Sequence, residues 1–312
     1  MKYGIQTGPQ EMTWGELLHA WTSADDLGLD SAWVYDHVMP FMVPDDRPIF
    51  EAWTSLAALA QATRRIEIGT MVTANTFRHP GLLAKMAATV DHVSGGRLTV
   101  GLGTGSMESE HLAYGIPLPK GRERAERLEE TIEILRGLWT QERFSFDGKY
   151  TSITDAPLEP KPVQDRGPRI MVGGKGERFT LPLVARHADH WNFAQGSTVE
   201  AFSDAYAALG RACEAEDRDV AQLEISMAGI VFVSADRDDA LARARALAAR
   251  YGWPEERAEA AFLIGTPEEI RERIDLLGEA GVQHFVMRLI GGANLDDVPV
   301  FANEVARASA PR

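Results

Sequence analysis

An aspartate followed by a histidine, Asp36-His37, closes a short β-rich run that begins at Ser31. A carboxylate beside an imidazole can anchor the polar edge of a heterocycle and donate or take a proton near neutral pH. A capped turn or a surface salt bridge would use the same pair. A second run ends Met71-Val72-Thr73-Ala74-Asn75, small polar groups against which a planar ring could lie. A third passes into Gly101-Leu102-Gly103-Thr104-Gly105-Ser106, where missing side chains let a flat ring or a phosphate approach the backbone. A fourth ends Met171-Val172-Gly173-Gly174-Lys175-Gly176 and leads into Glu177-Arg178-Phe179-Thr180. Exposed amides, a helix N-terminus and two cations there would suit an anion such as a cofactor phosphate. A glycine turn needing only positive φ is the plainer reading.

Several chemistries are excluded by what is missing. The run from Gly101 lacks the last glycine of a dinucleotide fingerprint, Met107 to His111 do not open an apolar helix, and the first strand ends Gln6-Thr7-Gly8-Pro9 with no such motif. One cysteine and eight scattered histidines provide no zinc spacing, so no metal is expected. Gly-x-Ser-x-Gly, the elbow of serine hydrolases, is absent. His79, His92, His187 and His190 lie on or beside regular elements and read as structural.

These runs are parts of a regular alternation. Lys2 to Gln6 precedes a helix from Trp14 to Leu27; Ser31 to Tyr35 precedes Ala52 to Ala62; Ile66 to Thr73 precedes Pro80 to Val93. In the last helix Leu82, Leu83, Met86, Ala87, Val90 and Val93 form the face expected on the sheet, with proline in the first turn. Leu98 to Leu102 leads to a helix from Arg122 to Trp139 with an apolar stripe of Leu128, Ile132, Leu135 and Leu138; its other face, Arg122, Glu123, Arg124, Glu126 and Glu130, reads as solvated ion pairs. A hairpin and surface crossing fill Phe144 to Pro168. Strands at Arg169 to Val172, His190 to Phe193, Glu224 to Val233 and His284 to Leu289 follow, with helices from Arg178, Val199, Asp238, Thr266 and Val298. Eight parallel strands with helical crossovers most simply close into a (β/α)8 TIM barrel, an open doubly wound sheet being the alternative. The expected organisation is one domain over 1–312 with insertions near 107–121, 144–168 and 251–265. In a barrel the ends of the four runs that close at Asp36-His37, Asn75, Ser106 and Gly176 all fall at the active, C-terminal rim.

Composition narrows the partners. Lys and Arg number 32 against 46 Asp and Glu, a formal charge of −14, which repels nucleic acid and anionic membranes. The lone Cys213 excludes an internal disulfide. No signal peptide or membrane-length apolar run is present, so a cytoplasmic location is expected.

The chain resembles the bacterial luciferase-like monooxygenase and coenzyme F420-dependent reductase family over nearly its whole length. The resemblance is carried by Thr76-Phe77-Arg78-His79-Pro80, by Asp91-His92-Val93-Ser94-Gly95-Gly96-Arg97-Leu98 and by Gly101 to Gly105. Further segments are Glu110-His111-Leu112-Ala113-Tyr114-Gly115-Ile116-Pro117, Pro160-Lys161-Pro162, Val172-Gly173-Gly174, Ala188-Asp189-His190-Trp191-Asn192 and Gly265-Thr266-Pro267-Glu268-Glu269. It implies a luciferase-like TIM barrel holding its coenzyme at the C-terminal mouth, the phosphate near Gly173 and Gly174, and a non-prolyl cis peptide near Met71-Val72.

An Asp-His pair ending the second strand resembles the deazaflavin branch, which implies coenzyme F420 over FMN and hydride transfer to or from a small organic substrate. His37 would then move a proton and Asp36 orient the coenzyme. Met71, Val72, Thr73, Asn75, Gly103, Thr104, Gly105, His111, Tyr114, Gly173, Gly174, Lys175 and Asn192 would line its site. Two departures stand out: Ser106-Met107 replace the usual Trp-Asn, and the acid that related reductases place directly after the glycines is absent, the nearest being Glu108. The substrate should meet loops Met39 to Phe50, Ser106 to Lys120 and Tyr251 to Ile264, where Phe41, Phe50 and Leu112 hint at an apolar or aromatic body. The resemblance also implies a homodimer. An FMN-dependent monooxygenase fed by a separate reductase, and a non-catalytic barrel that binds a deazaflavin or metabolite, are the competing readings.

Overall fold

The computed structural model describes residues 1–41, 43–193 and 198–307. Met42, within the expected substrate loop Met39 to Phe50, lies outside them. Eight strands form the barrel: β1 (Lys2–Thr7), β2 (Ser31–Val34), β3 (Glu67–Thr70), β4 (Leu98–Gly103), β5 (Arg169–Gly173), β6 (His190–Phe193), β7 (Glu224–Val233) and β8 (His284–Leu289). Each pairs in parallel with its sequence neighbour, β8 pairs β1 from Lys2↔His284 to Thr7↔Leu289, and β7 pairs β6, so the sheet is closed and the open doubly wound sheet is excluded. The strands are buried on both faces, as parallel strands between a filled interior and a helical coat must be. The third strand is shorter than its sequence implies: it stops at Thr70, the Met71–Val72 peptide is cis, and Thr73–Ala74 rejoins β4.

The helices α1 (Trp14–Asp26), α2 (Ala52–Ala62), α3 (Pro80–Ser94), α4 (Glu108–Ala113), α5 (Gly121–Thr140), α6 (Thr180–His187), α7 (Val199–Ala215), α8 (Arg237–Arg250), α9 (Glu255–Ala261), α10 (Pro267–Glu279) and α11 (Asp297–Val300) surround it. Local chemistry sets their starts: Thr13 and Thr266 form capping boxes with Glu16 and Glu269. His79 caps α3, whose proline sits in the first turn, and Gly95 ends that helix in a left-handed conformation. Phe144–Asp147 and Ser152–Ala156 form the expected hairpin.

Two faces differ from the sequence reading. In α3 the packed side is Leu83, Ala84, Ala87, Ala88, Val90 and Asp91, whereas Leu82 and Val93 are 56% and 38% exposed. Asp91 is inside because its carboxylate accepts the amides of Val163 and Gln164 from the surface crossing. On α5, Arg122 and Glu126 do pair at 2.8 Å, but Glu130 accepts the amides of Lys149 and Tyr150, and Arg124 donates to the Gly105 carbonyl at 2.6 Å.

The N-terminal end of the barrel is closed by a polar layer. Glu224 accepts from Lys2, Arg169 and His284, whose other ring nitrogen meets Ser31 Oγ at 2.7 Å. His190 stacks beside His284, but neither of its ring nitrogens has a hydrogen-bond partner among the described residues, and burial pushes its pKa down to about 3. The unfolded chain therefore takes up a proton on acidification that the fold refuses. Stability should fall as pH drops below 6.5, by at most about 1.4 kcal/mol per pH unit from this group. Urea melts of the native protein and of His190→Phe should show a flatter pH dependence between about 6.5 and 4.5 in the variant. At pH 7 the two should agree within about 1 kcal/mol, since no hydrogen bond is lost.

Candidate active site

At the opposite end the C-terminal tips of the strands enclose a cavity of about 250 Å³. Its floor is the cis segment Met71, Val72, Thr73 and Ala74; one wall is Gly103, Thr104, Gly105 and Ser106 with Gly173; the other carries Tyr35, Asp36, His37, Phe41 and Glu110. Gln6, Gln10, Val43, Arg288, Ile230, Ile290 and Trp253 complete it.

The floor is shaped by glycines. A Cβ on Gly103 would lie 2.6 Å from Val72 Cγ2, one on Gly173 2.9 Å from Val72 Cγ1, and one on Gly101 1.8 Å from the Thr70 carbonyl oxygen. A side chain at Gly103 or Gly173 would displace Val72, and one at Gly101 would collide with the Thr70 backbone. Thr73 is held from below, its hydroxyl accepting from Trp53 Nε1 at 2.9 Å and donating to Thr70 Oγ1 at 3.0 Å.

The Asp36-His37 pair is resolved into two separate partnerships. Asp36 is buried and takes a bidentate ion pair from Arg78, at 2.5 and 3.1 Å, and Arg78 also bonds Glu51. Burial lifts the Asp36 carboxyl above its ordinary range, and the guanidinium offsets this only in part. Both carboxylate oxygens are thus engaged by protein, and Asp36 anchors the turn after β2. His37 points elsewhere: its Nδ1 lies 2.8 Å from Oε1 of the buried Glu110, and its ring stacks on Phe41 at 4.9 Å. Glu110 Oε2 accepts the Val38 amide at 3.0 Å. With Nδ1–H donated to Glu110, Nε2 carries the lone pair and makes no other hydrogen bond among the described residues. The dyad can take a proton at Nε2 and stabilise the imidazolium through the carboxylate.

The other expected site residues divide. Met71, Val72, Thr73, Gly103, Thr104, Gly105 and Gly173 line the cavity, whereas Asn75, His111, Tyr114, Gly174, Lys175 and Asn192 do not. His111 is buried between Thr76 Oγ1 at 2.6 Å and the Met107 carbonyl at 2.7 Å, Tyr114 is 59% exposed, and Asn192 donates to Ser226 Oγ at 2.9 Å. Asn75 has its amide on the Gly103 carbonyl and a buried Oδ1 without a partner. In the glycine turn the Gly174 amide bonds the Asn192 carbonyl, the amides of Phe179, Thr180 and Leu181 turn back to Gly176, and the Lys175 ammonium lies 5.6 Å over Phe193. Of the substrate loops, Phe41, Val43, Ser106, Glu110 and Trp253 reach the cavity; Leu112 is 82% exposed and, like Phe50, stands outside it.

Sequence reasoning assigned no role to Glu110, Arg78, Gln6 or Arg288. Glu110 and Arg78 lie in segments that carried the family resemblance, but the acid considered there, Glu108, is exposed, and Glu110 is the buried one.

The bare floor and wall fit a flat ring, since the groups that would obstruct it are absent. A closed parallel barrel with this cavity at the C-terminal strand ends defines a TIM-barrel enzyme. The model of the family described as luciferase-like monooxygenase matches residues 1–258, and the chain belongs to that family, as one of its oxidoreductases. It is 31% identical over 309 residues to the F420-dependent glucose-6-phosphate dehydrogenase of Microbacterium testaceum, covering 92% of this chain and 90% of that one. The coenzyme F420 dependent tetrahydromethanopterin reductase from Methanopyrus kandleri has the same fold, with TM-score 0.85, 20% identity and 99% of both chains covered. So has an F420-dependent secondary alcohol dehydrogenase solved with an F420-acetone adduct, with TM-score 0.84, 20% identity and 99% of both chains covered.

Removing Arg78 leaves Asp36 buried without its cation. Arg78→Met should therefore cost roughly 3–5 kcal/mol in denaturant unfolding, and Asp36→Asn in the same chain should restore a large part of it.

Proposed function

We propose that the protein is a coenzyme F420-dependent oxidoreductase that transfers hydride between the deazaflavin and a small organic substrate. The observation that carries this reading is the His37–Glu110 dyad facing the cavity with Nε2 unengaged. Oxidising an alcohol or reducing a carbonyl moves a proton as well as a hydride, and a positioned imidazole backed by a carboxylate is the group for it. The name of the Microbacterium testaceum relative supports the choice of coenzyme.

The residues that would hold the ring are Met71, Val72, Thr73 and the backbone of Gly103 to Gly105, with Gly173 beside them. Bound there, F420 supplies a carbon that accepts or releases hydride without activating oxygen readily. His37 takes the substrate proton at Nε2 in the oxidative direction and returns it in the reductive one. Glu110 fixes the ring and its tautomer, and Phe41 covers one face of the imidazole.

Fluorescence titration with F420 and with FMN, side by side, should show clear preference for F420. Preference for FMN would overturn the coenzyme assignment and direct the search to oxygen consumption with reduced FMN. His37→Ala should lower turnover by about 10²–10⁴ while F420 affinity changes little. Glu110→Gln should lose less, and lost F420 affinity with intact turnover in His37→Ala would refute the proton-transfer role.

A further inference from the structure

Arg288, near the end of β8, is a cation in the cavity wall with no anionic partner among the described residues. Its Nε–H donates to Gln6 Oε1 at 2.6 Å across the Gln6↔Arg288 register, and the Gln6 amide donates to the Met71 carbonyl at 2.5 Å. The guanidinium is thereby aimed through Gln6 from the cis peptide that forms the floor. Its two terminal nitrogens make no hydrogen bond or ion pair with the described residues. The acids of the lining cannot serve it: Asp36 is engaged by Arg78, and Glu110 by His37 and the Val38 amide. Burial disfavours the charged form of Arg288, and the nearby Tyr35 hydroxyl opposes this. A guanidinium kept in such a place is offset by whatever anion enters the cavity.

We propose that the substrate carries a carboxylate on an apolar or aromatic body, with the carboxylate gripped by the free edge of Arg288 and the body lying against Trp253, Ile230 and Ile290. This deepens the functional reading by naming the substrate class, and it rests on the cavity being the reaction chamber. The planar pair of terminal nitrogens matches the two oxygens of a carboxylate in a bidentate fork. A phosphate dianion calls for a second fixed cation, and among the described residues of the lining no lysine or other arginine is present. Gln6 acts as the positioning residue, since it holds Nε and leaves the fork free.

The test uses the full chain without coenzyme and follows intrinsic tryptophan fluorescence, with Trp253 in the cavity wall as reporter. Benzoate should bind saturably, benzyl alcohol at least tenfold more weakly, and inorganic phosphate should not displace benzoate. Arg288→Gln should weaken benzoate at least tenfold and leave benzyl alcohol unchanged, with Arg288→Lys falling between. Equal benzoate affinity in the native protein and Arg288→Gln, equal affinity of the native protein for benzoate and benzyl alcohol, or displacement of benzoate by phosphate would each overturn the proposal. So would a tenfold loss of F420 affinity in Arg288→Gln, because the guanidinium would then serve the coenzyme. If that variant does not fold, the benzoate and benzyl alcohol comparison in the native protein and in Arg288→Lys decides. Because no coenzyme is needed, failure to bind F420 leaves the carboxylate site standing, and failure to bind benzoate leaves the coenzyme reading standing.

Discussion

The close approach of Val72 to three glycines on the neighbouring strands is the constraint from which the cavity is built. Gly101 and Gly103 on β4 and Gly173 on β5 leave no Cβ where the Thr70–Val72 backbone and the Val72 side chain pass. The third strand can therefore leave the barrel's regular path after Thr70 and return at Thr73. That detour presents the Met71 carbonyl to Gln6 on one side and sets Thr73 over Thr70 and Trp53 on the other. Floor and Arg288 are fixed relative to one another because Gln6 bonds both the Met71 carbonyl and the guanidinium.

The two ends of the barrel treat charge differently. At the closed end Glu224 collects Lys2, Arg169 and His284 into a network that satisfies itself, with His190 kept neutral next to it. At the open end Asp36–Arg78 and His37–Glu110 are each completed by the protein, but the free nitrogen of His37 and the outer edge of Arg288 are not. Leaving a buried polar group without a partner is costly; the closed end bears that cost at the ring nitrogens of neutral His190, whereas the unengaged groups of the open end face a cavity that a ligand can enter.

Much of this architecture was legible along the chain. All eight barrel strands lie where β-rich runs alternate with amphipathic stretches, and the helices begin near their capping residues. The signal is strong because strand and helix periodicity are local properties of a few consecutive residues. It weakened where a distant segment intervened. The α3 face rotated because the crossing at Val163 and Gln164 brought Asp91 inside, and Arg124 left its solvated face to reach Gly105. At the site, Asp36-His37 was visible as a candidate, but the partners of the two side chains, Arg78 and Glu110, were not.

The sequence by itself determined the barrel, the rim on which chemistry must sit and the glycines that keep that rim bare, since each follows from hydrophobic period, strand order or the absence of a side chain. Only the tertiary structure decided which carboxylate meets which cation or imidazole. Asp36 finds Arg78 across 42 positions, His37 finds Glu110 across 73 and Gln6 finds Arg288 across 282. Such pairings depend on the distance between strand ends after closure, a quantity that no local pattern of residues contains.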